Sequence, residues 1–374
     1  MRTFLFLFSC YFLTIQANFN GFNIFPFNST ALIQPDTLNS LKTIALRGGQ
    51  WIGVNFFLRQ TNSTSDEIHF DDRMPTHDVW TTFIEEVHKN NLKILLKPLI
   101  VCGEKCLFID IQPTNVTKWF SSYIEIITNI TDMANELQAD ALAVGLELTH
   151  LSNHNFTSYW RTVIQQIRQR NYRGLLTYCS IFYPIETNRI EFWDELDFIA
   201  MDITVDKHLP SIQTMTRKFS AYFLSFKSWL YEQPTNISSK FLVLTEVGYP
   251  SSLAGLAIPY GDAPAQCLGN YTVNFTLQNM AFTALFQVLQ NNSDLCKGAI
   301  IFWWDNPSTP DYYKDRDSNN WPCSWTVQGK PAECTIAQAF GGICPKNFAL
   351  NKTISWISFF LVLVSFCYIY SKET

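Results

Sequence analysis

The hydrophobic residues of this chain form eight short, nearly continuous runs that are separated by segments of helical periodicity. Continuous apolar runs of this length are typical of parallel strands that are buried on both faces. We therefore predict eight strands: Phe19–Phe25, Trp51–Leu58, Lys93–Val101, Ala139–Leu148, Leu175–Ile181, Leu196–Thr204, Lys240–Tyr249 and Ala299–Trp304.

Between these runs, large apolar residues recur every three or four positions, as on the buried face of a helix. The clearest stretches are 79–87, 119–130 and 160–167. Strands that alternate with helices over 18–345 predict a single (β/α)₈ barrel. A doubly wound open sheet is the alternative, but it requires a glycine-rich phosphate turn, and none follows an early strand. The polar, aromatic segment 305–334 predicts a disulfide-containing loop after the last strand.

Both ends of the chain carry features of targeting segments. Met1–Ala17 combines Arg2, an apolar stretch and a small final residue, which is the pattern of a cleaved signal peptide. Ile354–Tyr370 is apolar or hydroxylated throughout and would reach about 25 Å as a helix, enough for a short transmembrane helix. A lipid-anchor signal near Gly341 and Gly342 is the alternative. We expect a single-pass cell-surface protein with an extracellular domain, or else a lipid-anchored or secreted one.

Cysteines and glycosylation sequons favour the same compartment. Eight cysteines lie outside the two terminal segments, an even number that suits disulfides in an oxidising environment. The pairs Cys102–Cys106 and Cys323–Cys334 are close enough in sequence to form local bridges. Glycosylation is expected at nine Asn-x-Ser/Thr sites: Asn28, Asn62, Asn115, Asn129, Asn155, Asn236, Asn270, Asn274 and Asn291.

The net charge and the spacing of cysteines and histidines indicate which partners to expect. The net charge is −5 and no basic run occurs, so nucleic acid is not expected to bind. The cysteine spacings match no zinc pattern. His150 and His154 also lack metal-ligand spacing, and we interpret them as solvated loop residues. We therefore expect neither a metal ion nor another cofactor.

Four of the predicted strands carry an ionisable residue near the C-terminal end, namely Lys97, Glu147, Asp202 and Glu246. A charge within a buried strand is costly unless it is paired or faces a cavity. In a (β/α)₈ barrel the C-terminal ends of all strands meet at one face, where the active site lies. We therefore predict that these four side chains form one site.

A pair of carboxyl groups across a barrel mouth suits the cleavage of a glycosidic bond. One group acts first as an acid and then as a base, while the other attacks the anomeric carbon, at a separation of about 5–5.5 Å. Aromatic rings offer sugars a flat surface, and Tyr249, Trp303 and Trp304 lie at strand ends. Because successive residues of a strand point in opposite directions, only one of the two tryptophans should face a substrate.

At these strand ends the sequence resembles glycoside hydrolase family 113, retaining endo-β-mannanase-type enzymes of the large (β/α)₈ clan A. The resemblance extends from about Phe19 to Phe340 and includes Asp262, Gln266 and Tyr271. Its main carriers are seven segments in order: ILLKP at 94–98, VGLEL at 144–148, YWRTVIQQIR at 159–168, GLLTY at 174–178, FWDELDFIAMD at 192–202, LTEVGYPS at 244–251 and GKPAE at 329–333.

The resemblance implies that Glu147 is the acid/base and Glu246 the nucleophile. The residues expected to bind the carbohydrate are Lys97, Tyr178, Asp202, Tyr249, Trp303 and Trp304. Several positions depart from the family pattern. Where polar residues are usual the chain has Leu99, Leu146 and Ile181, and where an aromatic residue is usual it has Thr204 or Val205.

Three functions are compatible with these observations. The leading hypothesis is a retaining glycosidase for β-linked glycans, with β-mannan as the candidate substrate, because both carboxyl groups are retained. The second is a cell-surface barrel that binds glycans with weak or no turnover, because polar groups that normally hold sugar hydroxyls are replaced. The third is a structural surface glycoprotein.

Overall fold

The computed structural model describes residues 18–103, 106, 108–203, 211–251, 273–308 and 325–346. Its strands are β1 Gly21–Ile24, β2 Trp51–Gln60, β3 His69–Phe70, β4 Lys93–Cys102, β5 Ala141–Leu146, β6 Leu175–Ile181, β7 Ile199–Ile203, β8 Leu242–Val247 and β9 Cys296–Ile301. Its helices are α1 Pro35–Leu46, α2 His77–Lys89, α3 Val116–Glu136, α4 Thr157–Gln169, α5 Ile212–Tyr231, α6 Thr235–Ser238, α7 Phe275–Asn291 and α8 Pro331–Ala339. Short 3₁₀ turns span Ala31–Ile33, Phe108–Asp110, His154–Phe156, Thr187–Arg189 and Trp193–Glu195.

Eight of the strands form a closed parallel barrel. β1 pairs with both β2 and β9, and the remaining neighbours follow chain order from β2 through β4 to β9. The short strand β3 lies outside the barrel, antiparallel to the end of β2. Each of the eight predicted apolar runs overlaps one barrel strand, so the (β/α)₈ prediction is confirmed.

The outer layer of the core lies between strands and helices. α2 buries Val79, Trp80, Phe83, Ile84 and Val87, which recur with the predicted helical period. α3 and α4 bury corresponding stripes in the same way. Burial of one apolar face against the sheet, rather than helix propensity alone, accounts for most of the stability of such helices.

The barrel interior is closed at its N-terminal end by stacked aromatic rings. Phe19 stacks on Trp51 with ring centroids 4.5 Å apart, and Phe198 stacks on Phe241 at 5.5 Å. These four residues precede or begin their strands, and smaller interior residues such as Ala143 lie above them. The opposite, C-terminal end is therefore where the interior opens towards a site.

Two disulfides are present among the described residues. The predicted Cys102–Cys106 bridge is confirmed. The predicted Cys323–Cys334 bridge is wrong, because Cys334 is bonded to Cys344. After α8 the chain turns at Gly341, whose φ of 77° suits glycine, and this turn brings the Cα atom of Cys344 to 4.5 Å from that of Cys334. The bridge therefore joins the last residue of the predicted loop segment 305–334 to the chain after α8, and Cys323 is outside the described residues.

The targeting segments 1–17 and 354–370 lie outside the described residues, as does the sequon at Asn270. None of the helices in the described ranges is long and apolar enough to cross a membrane. Of the eight sequon asparagines that are described, seven are exposed at the surface. The eighth, Asn274, is half-buried and accepts a hydrogen bond from the backbone N–H of Leu277 at the start of α7.

Candidate active site

The C-terminal end of the barrel brings together the four ionisable residues that the strands carry. Lys97 lies near the end of β4, opposite Asn55 of β2 in the strand register. Asp202 of β7 lies opposite Glu246 of β8, and Glu147 directly follows β5. The register shifts by one or more residues beside Glu147 and Asp202, and such bulges redirect side chains at the rims of barrels.

Glu246 is held in an ion pair with a fully buried lysine. The Nζ atom of Lys97 lies 2.5 Å from Oε1 of Glu246, and the Nδ2 atom of Asn55 donates to the same oxygen at 3.4 Å. Burial alone would lower the pKa of Lys97, but the negative charges of Glu246 and Asp202 outweigh it and raise that pKa. Lys97 therefore remains a cation and is the counterion of Glu246. With 18% of its side chain exposed, Glu246 remains open towards the mouth.

Glu147 is in the opposite electrostatic state. Burial raises its pKa well above 4.5, and the negative charges of Asp202, Glu246 and Glu186 raise it further, against a smaller lowering by Lys97. The carboxyl group therefore keeps its proton at a pH at which an ordinary glutamate has lost it. The pair thus combines a carboxyl group with a raised pKa and a carboxyl group that is ion-paired to a buried cation, the asymmetry that retaining hydrolysis uses.

The backbone of Glu147 is unusual as well. Its φ is +48°, a left-handed conformation that costs a residue with a side chain roughly 1–2 kcal/mol. The other described non-glycine residues with positive φ, Asn91, Gln138 and Asn171, each lie just beyond a helix end, where this conformation is common. Glu147 instead leaves a strand, which explains why β5 ends two residues before the predicted limit.

Asp202 carries a buried oxygen that has no hydrogen-bond partner among the described residues. Thr245 donates from Oγ1 to Oδ1 of Asp202 at 2.6 Å, while Oδ2 has no hydrogen-bond partner there. Burial and the charge of Glu246 raise the pKa of Asp202 well above 3.8. The Oδ1 atoms of Asn23 and Asn55 are also buried without a partner among the described residues. Buried polar atoms left unpaired at a barrel mouth are groups that a substrate or water can satisfy.

An aromatic wall borders the mouth on the side of β1, β2 and β9. It consists of Phe25, Phe57, Trp303 and Trp325, with the half-buried Leu99 packed against it. Trp304 points the other way and packs edge-on against Phe22, with ring centroids 5.0 Å apart, in the outer core. The two tryptophans follow the end of β9 and pack on opposite sides, and only Trp303 belongs to the aromatic wall, where it is 4% exposed.

Two tyrosines that we expected to contact the substrate are instead buried. Tyr178 is fully buried, and its hydroxyl is engaged by the backbone of Leu148 and by Glu186. Tyr249 is buried against Phe282, with ring centroids 4.8 Å apart. Like Trp304, these rings offer no surface to a sugar in this conformation, because helices or neighbouring loops cover them.

Three residues of the site were not singled out from the sequence. Asn23 and Asn55 interrupt apolar runs just as the ionisable residues do, so a search for any polar residue within a predicted strand would have found them. Glu186 lies in the loop after β6, where no periodicity exists to distinguish it from a solvated glutamate. Its burial depends entirely on tertiary structure.

The apolar residues that depart from the family pattern lie on strands of the same barrel. Leu146 is buried in the barrel interior, Leu99 is half-buried beside the aromatic wall, and Ile181 is buried at the end of β6. Thr204 and Val205 lie outside the described residues. Among the residues that are described, no group of three His, Cys, Asp or Glu side chains is arranged to hold a metal ion, and His150 and His154 are exposed.

Comparison with known proteins identifies the family of this chain. The family model described as Glycoside Hydrolase Family 113 matches residues 25–330. No curated protein sequence matched the chain. Among solved structures, a β-1,4-mannanase of that family in a complex is similar over 87% of this chain and 99% of its own, with 21% identity and a TM-score of 0.71.

Two further solved structures extend the comparison. The β-mannanase of Alicyclobacillus acidocaldarius bound to ManMIm covers 87% of this chain and 98% of its own, with 20% identity and a TM-score of 0.72. An endo-β-1,4-glucanase from Xanthomonas axonopodis pv. citri covers 87% and 99%, with 12% identity and a TM-score of 0.56. At these identities the structures establish a shared fold.

Proposed function

The chain belongs to glycoside hydrolase family 113, and we propose that this glycosidase hydrolyses β-1,4-linked mannan with retention of anomeric configuration. The single observation that supports the mechanism is the electrostatic asymmetry of the carboxyl pair. Glu147 is held protonated by burial and like charges, whereas Glu246 is paired with the buried cation of Lys97. β-Mannan is proposed because two similar structures are β-mannanases.

In the first step, Glu147 donates its proton to the glycosidic oxygen while an oxygen of Glu246 attacks the anomeric carbon. The bond to the leaving sugar breaks, and a covalent glycosyl ester forms on Glu246. Esterification removes the negative charge of Glu246, and with it one of the influences that raise the pKa of Glu147. Glu147 is then better suited to remain ionised and take a proton from water.

In the second step, the deprotonated Glu147 acts as a base towards a water molecule that attacks the anomeric carbon. The ester bond breaks, Glu246 returns to its carboxylate state, and Glu147 regains a proton. Lys97 and Asn55 contact one oxygen of Glu246, which leaves the other available for attack. Asp202 offers its unpaired Oδ2 atom to a sugar hydroxyl.

We also propose that the enzyme works on the cell surface or in the extracellular space. Two disulfides and seven exposed sequon asparagines support an oxidising, glycosylating compartment. Attachment through segment 354–370 is the proposed form of anchoring. Enzymatic removal of N-glycans should lower the apparent mass of the protein, and protease treatment of intact cells should remove the barrel domain. A protein resistant to both treatments would refute this localisation.

A second candidate is a glycan-binding barrel with weak turnover. The apolar side chains of Leu99, Leu146 and Ile181 favour it, because they cannot hydrogen-bond sugar hydroxyls. Binding of manno-oligosaccharides without release of shorter products would support this alternative. Hydrolysis at rates that depend on Glu147 and Glu246 would exclude it.

The deciding experiment uses full-length protein with β-1,4-mannan and β-1,4-glucan oligosaccharides and follows the anomeric configuration of the product by NMR. Glu246→Ala should abolish turnover, and azide should restore part of it by replacing the nucleophile. Glu147→Ala should impair substrates with poor leaving groups far more than activated aryl glycosides, since only the former need protonation. Glu191→Ala, at an exposed carboxylate outside the site, is the matched control. Unchanged hydrolysis in both site variants would refute the assignment.

A further inference from the structure

Glu186 is a buried carboxyl group for which the proposed reaction has no use. It lies in the loop after β6 with 1% of its surface exposed. Its Oε1 atom accepts hydrogen bonds from Oγ of Ser152 at 2.6 Å and from the hydroxyl of Tyr178 at 2.7 Å, and Oε2 accepts from the backbone N–H of Ile181 at 2.7 Å. A carboxylate this deep is tolerated because three donors converge on it.

Two of these donors lead directly to the acid/base. The hydroxyl of Tyr178 also accepts a hydrogen bond from the backbone N–H of Leu148 at 2.8 Å, and Leu148 is the residue that follows Glu147. Ser152 lies four residues further along the same turn, and its own N–H donates to the carbonyl of Leu148 at 2.9 Å. Both ends of the turn after Glu147 are thus tied to one carboxyl group.

The loop that carries Glu186 is itself firmly attached to the barrel. Thr187 donates from its hydroxyl to the carbonyl of Ile181 at 2.9 Å and contacts Oγ of Ser180 at 2.8 Å. The indole N–H of Trp193 donates to the carbonyl of Thr187 at 2.9 Å. The carboxyl group is therefore a fixed point against which the turn after β5 is held.

We propose that Glu186 is a positioning residue, which through Tyr178 and Ser152 holds the left-handed turn that aims the carboxyl group of Glu147 at the glycosidic oxygen. The inference rests on the proposed glycosidase mechanism and extends it. A strained φ persists only where the surroundings determine it, and these hydrogen bonds are such a determinant. Loss of the network allows the turn to relax and moves the proton donor away from its target.

The charge of Glu186 gives this role a second consequence. It is one of the groups that raise the pKa of Glu147. Burial raises the pKa of Glu186 itself to about 7, against the lowering effect of its three hydrogen bonds and of Arg189. The charged groups that face Glu147 are Asp202 on β7, Glu246 on β8, Glu186 after β6 and Lys97 on β4. Above about pH 7, where Glu186 is ionised, removal of its charge therefore lowers the pKa of Glu147.

The test compares Glu186→Gln, Tyr178→Phe and the surface control Glu191→Gln in the full-length protein. Each is assayed from pH 4 to 9 with mannotetraose, which needs proton donation, and with 2,4-dinitrophenyl β-mannobioside, which does not. Glu186→Gln and Tyr178→Phe should lower kcat/KM for mannotetraose about 10- to 100-fold, as expected for a misplaced catalytic group, and change the dinitrophenyl substrate little. Glu186→Gln should move the basic limb of the pH profile towards lower pH, and Tyr178→Phe should move it less, because loss of the hydrogen bond raises the pKa of Glu186 without removing its charge at high pH.

A second readout does not depend on turnover. ¹³C NMR titration of glutamate-labelled protein, assigned with Glu147→Gln, should show Glu147 losing its proton at lower pH in Glu186→Gln than in the wild type. If Glu186→Gln fails to fold, Tyr178→Phe still tests positioning through the ratio of the two substrates. Equal effects on both substrates, or an unchanged Glu147 titration in Glu186→Gln, would overturn the inference. A wild type that cleaves neither substrate would refute the proposed function, while the titration would still decide the charge effect.

Discussion

The ion pair between Lys97 and Glu246 offers the sharpest test of the site's electrostatics. The Lys97 side chain is completely buried, Glu246 is largely buried, and the charged atoms are 2.5 Å apart. Lys97→Met keeps the length and apolar character of the side chain but removes the cation. Glu246 is then left as a buried charge without a counterion, and breaking such a pair from one side costs about 3–5 kcal/mol of folding stability.

The same variant should lose activity for a related reason. Without the cation of Lys97, Glu246 loses the group that holds and orients its carboxyl for attack, so kcat/KM should fall about 100- to 1,000-fold, as when other preorganised electrostatic groups are removed. Lys97 also lowers the pKa of Glu147, so its removal should shift the basic limb of the pH profile upwards. Urea unfolding at pH 7 measures the stability change, and the pH dependence of kcat/KM measures the rest.

The double variant Lys97→Met/Glu246→Gln distinguishes pairing from packing. It removes both charges, so it should be more stable than Lys97→Met alone even though it carries one more substitution. Lys227→Met, which breaks an exposed pair with Asp294, is the control and should cost less than about 1 kcal/mol. If the double variant were as unstable as the two single effects combined, the charges would not be coupled and the reasoning would be refuted.

Three further predictions concern stability and binding. Because the pKa of Glu186 rises from 4.5 to about 7 on folding, the folded state binds the extra proton, and stability should fall by about 3 kcal/mol as pH rises through this range. Urea unfolding at pH 5 and pH 8 should show a smaller difference in stability for Glu186→Gln than for the wild type, and an identical difference would contradict the prediction. Cys334→Ser should lower stability by about 2–3 kcal/mol, and peptide mapping should find Cys334 linked to Cys344; any other partner would contradict the fold. Trp303→Ala should raise KM for mannan oligosaccharides, whereas Trp304→Ala should mainly lower the melting temperature; equal effects on KM would contradict their opposite orientations.

The fold was predictable because parallel strands buried on both faces leave a distinct trace in the sequence. The residues next to Leu95 and Val243 on both sides are apolar, since one face of each strand packs inside the barrel and the other against helices. Strand ends were less accurate. The strand that was predicted to reach Leu148 ends at Leu146, because the left-handed backbone of Glu147 interrupts the strand pairing. Glutamate has no preference for this conformation, so the sequence could not predict it.

The site was predictable only in part, for a physical reason. Lys97 and Asp202 could be recognised because a charge within an apolar run is costly to bury unless it is paired or faces a cavity. Tyr178 looked like a substrate contact because sequence shows that a tyrosine is near the site but not which way its hydroxyl points. The structure directs that hydroxyl to Glu186, a residue in a loop whose burial depends on contacts distant in the chain.

The apolar residues that depart from the family pattern bear differently on the two carboxyl groups of the proposed mechanism. Burial is the largest cause of the raised pKa of Glu147, and Leu146, which precedes it in the chain, is itself buried. Polar residues at such positions would offer hydrogen bonds to sugars but would also solvate the acid and ease its ionisation. Glu246 depends less on such neighbours, because Lys97 supplies its counterion directly. In the proposed mechanism, the raised pKa of Glu147 and the ion pair of Glu246 with Lys97 are both kept, so the replacements bear on sugar recognition rather than on the cleavage of the bond.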